Sequence, residues 1–262
     1  YWLTNSGKID FASVTQSFKR PLTCLSTIAL FLTVQFFGTI RWKLILEAFS
    51  AEKFKFMDIY RYTWMGYFFN IALPGSVSGD VVKIFLVKKH FQNSSLKVVA
   101  LSVLIDRIAG LFGFFTIIGL MSVFNYSHLT QLKDTALMLI HFNIFIFILE
   151  IIGIIILFLP EHFKNIFFDA GKKIKIKMIQ SLIEVAQNYI KPLKKIIFIT
   201  IVYSSIAQIA GVLAFTNLSS ISGTPTIPLD VAFTAIPMGF ITLAIPLAPG
   251  GFGVGHVAFE NI

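Results

Sequence analysis

The chain is poor in nearly everything a soluble enzyme carries. One cysteine in 262 residues, Cys24, excludes an intramolecular disulfide and leaves redox compartment unreadable. Charged residues make up only 13% of the chain, against about a quarter in soluble domains. Enzyme constellations are missing as well. There is no D-x-D for a metal-bound sugar nucleotide, no H-E-x-x-H, no phosphate-binding Walker loop and no G-x-S-x-G. These absences argue against an enzyme in this stretch of chain. No catalytic residue, metal ligand or cofactor is expected, and a polyprenol-linked glycosyltransferase is disfavoured.

What is abundant is apolar. Hydrophobic residues reach 56%, with 29 Phe, and mean hydropathy is +0.79. This composition predicts an all-α polytopic membrane protein. A formal charge of +9 would point to nucleic acid in a soluble domain, but here the basic residues sit in loops between apolar runs. No nucleic-acid partner is expected; the composition leaves homo-oligomerisation open.

Four runs are long enough to cross a bilayer at 1.5 Å per residue: 22–40, 96–124, 135–159 and 196–218. The first ends in Arg41-Trp42-Lys43, which reads as an aromatic and basic interface anchor, followed by a charged linker from Glu47 to Asp58. Between 161 and 195 the chain turns polar and basic. There Ile179, Leu182, Ile183, Ala186, Ile190 and Leu193 share one helical face, predicting a helix lying in the interface. The Lys172-Lys173-x-Lys175-x-Lys177 run reads as a contact with anionic headgroups. The chain opens on Tyr1 and closes within an apolar run, so it reads as one transmembrane domain (1–262) lacking a helix before Tyr1 and at least one after Ile262.

Lys and Arg orient the domain. Segments 41–61, 83–97 and 161–195 hold 17 of them, and segments 1–20 and 125–134 hold 4. That bias places 161–195 in the cytoplasm of a cell inner membrane.

Two stretches break the pattern. Residues 59–73 and 231–247 are apolar but short or proline-interrupted. Each leads into a Pro-Gly motif: Pro74-Gly75-Ser76-Val77-Ser78-Gly79-Asp80 with Lys83, and Pro249-Gly250-Gly251-Phe252-Gly253-Val254-Gly255-His256. Irregular backbone at membrane depth is tolerated only where protein or a wet cavity satisfies it. Paired interruptions in two halves point to a transporter's substrate site. The prediction is an inverted repeat with two oppositely oriented re-entrant helical hairpins. G-x-x-x-G is also a common packing device between membrane helices. The helix resuming after the first motif offers backbone N–H groups as an anion site, and Asp80 and Lys83 are spaced to pair. Asp106 and Arg107 fall near mid-bilayer, where ionisable residues are costly. They read as a lipid-phosphate site, as a structural ion pair with Asp80 or Lys83, or as both, since a network joining hairpin to helix can also receive a phosphate. Glu150 reads as a pathway residue or a partner to a polar group, His141 as an interface histidine, and His256 as polar lining.

These residues resemble the membrane region of lysylphosphatidylglycerol synthases and their stand-alone relatives. The similarity rests on Arg41-Trp42, Asn70-x-x-Leu73-Pro74-Gly75 with Gly79-Asp80-x-x-Lys83, Asp106-Arg107, and Pro249-Gly250-Gly251-x-Gly253-Val254-Gly255. The family often carries Glu for Asp80, Arg for Lys83 and an acid near His256. What the resemblance implies is translocation of a phospholipid (anionic or aminoacylated) or a polyprenyl-phosphate lipid. Asn70, Pro74, Gly75, Ser76, Ser78, Gly79, Asp80, Lys83, Asp106, Arg107 and the second motif would line its path. The alternative is the membrane half of a lipid-modifying aminoacyl transferase whose catalytic domain lies outside this chain.

Overall fold

The computed structural model describes residues 19–50, 52–72, 77–91, 95–124, 126, 134–160, 177–221, 228–229, 231–234 and 236. Among them there are six long helices and no strand. They are α1 (Pro21–Ser50), α2 (Phe56–Ala72), α3 (Ser78–His90), α4 (Leu96–Phe124), α5 (Asp134–Phe158) and α6 (Lys177–Ile221). Four contain stretches long and apolar enough to cross a membrane: Pro21–Ser50, Leu96–Phe124, Ile140–Phe158 and Asn188–Ile221. Each of the four predicted spans falls on one of them.

The burial pattern is that of a membrane protein. Leu22, Leu25, Ile28, Phe31, Leu32 and Phe36 lie exposed along α1, while Thr39, Arg41, Ser102, Asp106, Glu150 and Ser204 are buried. Lipid tails are as apolar as leucine, so hydrophobic transfer does not hold such helices together. Close packing and interhelical hydrogen bonds do.

Two helices run further than their sequence suggests. The first span does not stop at Ile40, because α1 continues to Ser50 and buries Arg41 and Trp42. They are core residues rather than an interface anchor, and the charge of Arg41 is met inside the protein. Likewise, 177–195 is no separate interfacial helix. It is the first part of α6, which runs 45 residues with Pro192 inside it. A proline removes one helical hydrogen bond and clashes with the preceding turn, but packing carries the helix through. Tyr189 rings against Phe49 at 4.6 Å, and Leu193 and Ile196 pack on Ile45, Phe49 and Ala109.

α1 and α6 lie antiparallel along much of their length. At one end Arg20 donates to the Ser220 carbonyl (3.0 Å) and Asn217 to Ser26 Oγ (3.0 Å). At the other, Phe49 meets Tyr189. α4 packs on both, and α5 packs on α4.

Helices α2 and α3 form an antiparallel hairpin. Tyr62 stacks on His90 at 5.5 Å, and nearer the turn Asn70 meets Ser78 and Gly79. At 17 and 13 residues the two arms reach only about 25 and 20 Å. They pack on α1 and α4 through Trp42, Leu46, Phe54, Ile59, Tyr62, Val87, Val99 and Val103. The second predicted hairpin lies mostly outside the described residues; of it, Ala232 and Ile236 pack on Val212 of α6.

Candidate functional site

The hairpin turn dictates a close approach. A Cβ on Gly79 would drive into the Gly66 carbonyl oxygen and come within 2.7 Å of the Asn70 side chain. A Cβ on Gly66 would meet Lys83 Cγ at 2.9 Å and the Gly79 carbonyl at 3.0 Å. The two arms touch backbone to backbone, and that contact needs glycine on both sides. Asn70 joins the two arms: its Oδ1 accepts the Gly79 N–H at 2.7 Å, while the single Ser78 hydroxyl proton has the Phe69 carbonyl at 3.1 Å as its nearer acceptor and Asn70 Oδ1 at 3.4 Å as the alternative.

These bonds revise the anion site expected at the start of α3. The Gly79 N–H is held by Asn70, and the Asp80 N–H donates to the Val77 carbonyl at 3.0 Å. Those two donors are spent inside the protein. The first turn also carries Asp80, whose negative charge already sits at the positive end of the helix.

Asp80 is the hub of a charge cluster. One carboxylate oxygen takes Lys83 Nζ at 3.0 Å, the i,i+3 pairing its spacing predicts, and the other takes Arg107 Nε from α4. Lys83 Nζ also lies 5.0 Å from the centre of the Trp42 ring, a cation–π contact. Trp42 in turn donates to Ser102 Oγ at 3.3 Å.

Asp106, one residue from Arg107, belongs to a different cluster. Neighbours in a helix point about 100° apart and do not share a face. Asp106 Oδ1 accepts Arg41 Nε at 2.7 Å, Arg41 Nη1 donates to Ser204 Oγ at 3.0 Å, and Ser204 donates to the Ala109 carbonyl at 2.7 Å. Gly110 lies beside the guanidinium, where a Cβ would make ordinary contact with it at 3.4 Å. Gly113 brings α4 so close to α6 that a Cβ would run into Ser204. This cluster ties α1, α4 and α6 together.

Exposure separates the two. The Arg41 and Asp106 side chains are each 11% exposed, whereas Arg107 is 36% exposed and its partner Asp80 only 8%. The first pair is sealed; the second presents a guanidinium at an accessible edge between hairpin and span.

Asn70, Ser78, Gly79, Asp80, Lys83 and Arg107 are therefore brought together. Asp106 is turned away to Arg41, and of the partners considered for the Asp106–Arg107 step only Asp80, with Arg107, takes that role. Pro74, Gly75, Ser76, Pro249, Gly250, Gly251, Gly253, Gly255 and His256 lie outside the described residues, as do Lys172, Lys173 and Lys175. Sequence reasoning missed Gly66, Ser102, Ser204 and the inward role of Arg41. A buried Asp106 needing a cation was the one available signal for Arg41. Further along α4, Thr116 donates to Glu150 Oε1 at 2.7 Å. His141 meets the Tyr126 hydroxyl at 3.0 Å, and both are exposed.

The sequence model of a family described as lysylphosphatidylglycerol synthase TM region matches residues 1–260. No curated protein and no solved structure matches the chain.

Proposed function

The chain belongs to the lysylphosphatidylglycerol synthase TM-region family, and on that premise we propose that it moves a phosphate-bearing lipid across the membrane. The observation that carries this reading is the Asp80–Lys83–Arg107 cluster at the hairpin edge. Two cations share one carboxylate there, and Arg107 is the more accessible of the two. A guanidinium can hold a phosphate through two parallel hydrogen bonds and stays charged when desolvated. Phosphate binding would draw Arg107 away from Asp80, and Lys83 would remain to balance Asp80. Such an exchange of partners lets the anion enter without stranding a buried charge.

In this reading the α2–α3 hairpin is re-entrant, with the second Pro-Gly motif as its inverted counterpart, and alternating access runs between them. The lysine-rich end of α1 and α6 faces the cytoplasm of the inner membrane. Removing the inward-facing Arg41 and Lys83 from the charge count leaves 15 against 4, so the bias survives. The protein acts as a transporter and not a catalyst. The lipid is an anionic or aminoacylated phospholipid or a polyprenyl phosphate. The family's name favours the phosphatidylglycerol class, and equally keeps open a membrane half serving an aminoacyl transferase.

The test is flipping of fluorescent phosphatidylglycerol in proteoliposomes holding the purified protein. Bleaching of both leaflets by an external reductant is expected; bleaching that stops at half, as in protein-free vesicles, would refute transport.

A further inference from the structure

A second basic site lies at the lysine-rich end of the α1–α6 pair, away from the hairpin cluster. A cleft of about 470 Å³ opens there, lined by Leu44, Glu47 and Ala48 of α1, Lys53 of the connector, and Lys191, Pro192, Lys195 and Ile196 of α6. Its lining holds three lysines and one carboxylate. The carboxylate is already engaged: Glu47 Oε1 takes Lys43 Nζ at 2.7 Å and the Phe54 N–H at 2.9 Å, and Oε2 lies 3.5 Å from Lys53 Nζ. Lys191 and Lys195 stand four residues apart on one face of α6, while the intervening Lys194 lies over the Phe158 ring at 6.0 Å. Lys53, Lys191 and Lys195 place three ammonium groups around one cleft, so an anion within it is attracted by all three.

The cleft's position indicates the source of that anion. Phe198, Ile199 and Val202 follow on α6 as exposed apolar residues, so the lysines lie where the spanning segment leaves the hydrocarbon. The lining is also two-sided: lysine ammonium groups accompany the apolar Leu44, Ala48, Pro192 and Ile196. A free phosphate would use only the first set; a lipid uses both.

We propose that this cleft binds the phosphate of an anionic phospholipid, with Lys191, Lys195 and Lys53 around the headgroup and Leu44 and Ile196 against the first methylenes. The lipid would act as a clasp between the end of α1 and the Pro192 region of α6. This assignment does not depend on transport, because binding at the cleft is measured without it.

Thermal unfolding of the purified protein in neutral detergent tests it. The probes are short-chain phosphatidylglycerol, short-chain phosphatidylcholine and inorganic phosphate. Phosphatidylglycerol is expected to raise the melting temperature, and the other two to do so much less. Lys191→Gln with Lys195→Gln should weaken phosphatidylglycerol binding roughly thirtyfold, the equivalent of about 1 kcal/mol per basic residue. Lys191→Arg with Lys195→Arg should retain it. Both lysines are exposed, so the variants should fold, with circular dichroism as the check. Equal stabilisation of the wild type and the double-glutamine variant would overturn the site. Equal stabilisation by inorganic phosphate or by phosphatidylcholine would overturn its assignment to an anionic lipid.

Discussion

Two ion pairs one residue apart on α4 perform different work, and their exposure predicts different costs. Arg41–Asp106 is sealed on both sides, so removing one partner leaves an uncompensated charge inside the bundle. Arg41→Ala or Asp106→Asn is expected to destabilise by roughly 3–5 kcal/mol, read as a large drop in melting temperature. Arg107 is more than a third exposed, and Asp80 keeps Lys83 as a counter-ion when it is lost, so no buried carboxylate is stranded. Arg107→Lys should melt close to the wild type. A melting temperature that falls as far as that of Arg41→Ala would deny the distinction. Gly79 is a sharper case. Its missing Cβ is the space occupied by the Gly66 carbonyl, so even Gly79→Ala should separate the arms, at a cost of roughly 1–3 kcal/mol. Unchanged stability and activity in Gly79→Ala would remove the packing account.

Among the elements, the spans were legible because length and apolarity suffice to call them. Leu96–Phe124 is found as predicted, and α5 matches its predicted span to within a residue at each end. The two shorter helices were legible too, since apolar runs flank the Pro-Gly motif on both sides. Continuity was not legible. Arg41 and Lys43 look like the end of a helix until Asp106 and Glu47 supply their partners. The break expected between 195 and 196 likewise disappears, because Phe49 and Ile45 of α1 pack on Tyr189, Leu193 and Ile196 on both sides of it. Both errors arise because helix ends read from one segment ignore the segment packed against it. Direct contact across α1 and α6 can be checked. With Cys24 replaced, Ser26→Cys and Asn217→Cys should join through a short thiol crosslinker, since the native side chains are hydrogen-bonded. No crosslink would contradict the antiparallel pairing.

For the whole molecule, the structure brings together from three elements what the sequence scattered. Asn70, Ser78, Gly79 and Asp80 were already neighbours along one motif, and their grouping was readable from it. That Arg107 would join them and Asp106 would not depended on the rotation of α4, which a single sequence does not reveal. Polarity across the membrane rests on charge. Lys53 and Lys191 line one end of the α1–α6 pair, and Arg20 bonds Ser220 at the other. In a background lacking Cys24, a cysteine at Lys53 should label from the cytoplasm and one at Arg20 from outside; labelling of both from one face would overturn the orientation.

The central claim is that Arg107 receives the lipid phosphate, and a flipping assay on an Arg107 series tests it most directly. Arg107→Lys should fold and flip at least about tenfold more slowly, since an ammonium lacks the paired donors. Arg107→Gln removes the guanidinium while Asp80 keeps Lys83 as its counter-ion, so charge balance survives without the phosphate ligand. The account predicts that this variant is folded and inactive. Full flipping by it would contradict the account and leave Arg107 a structural partner of Asp80.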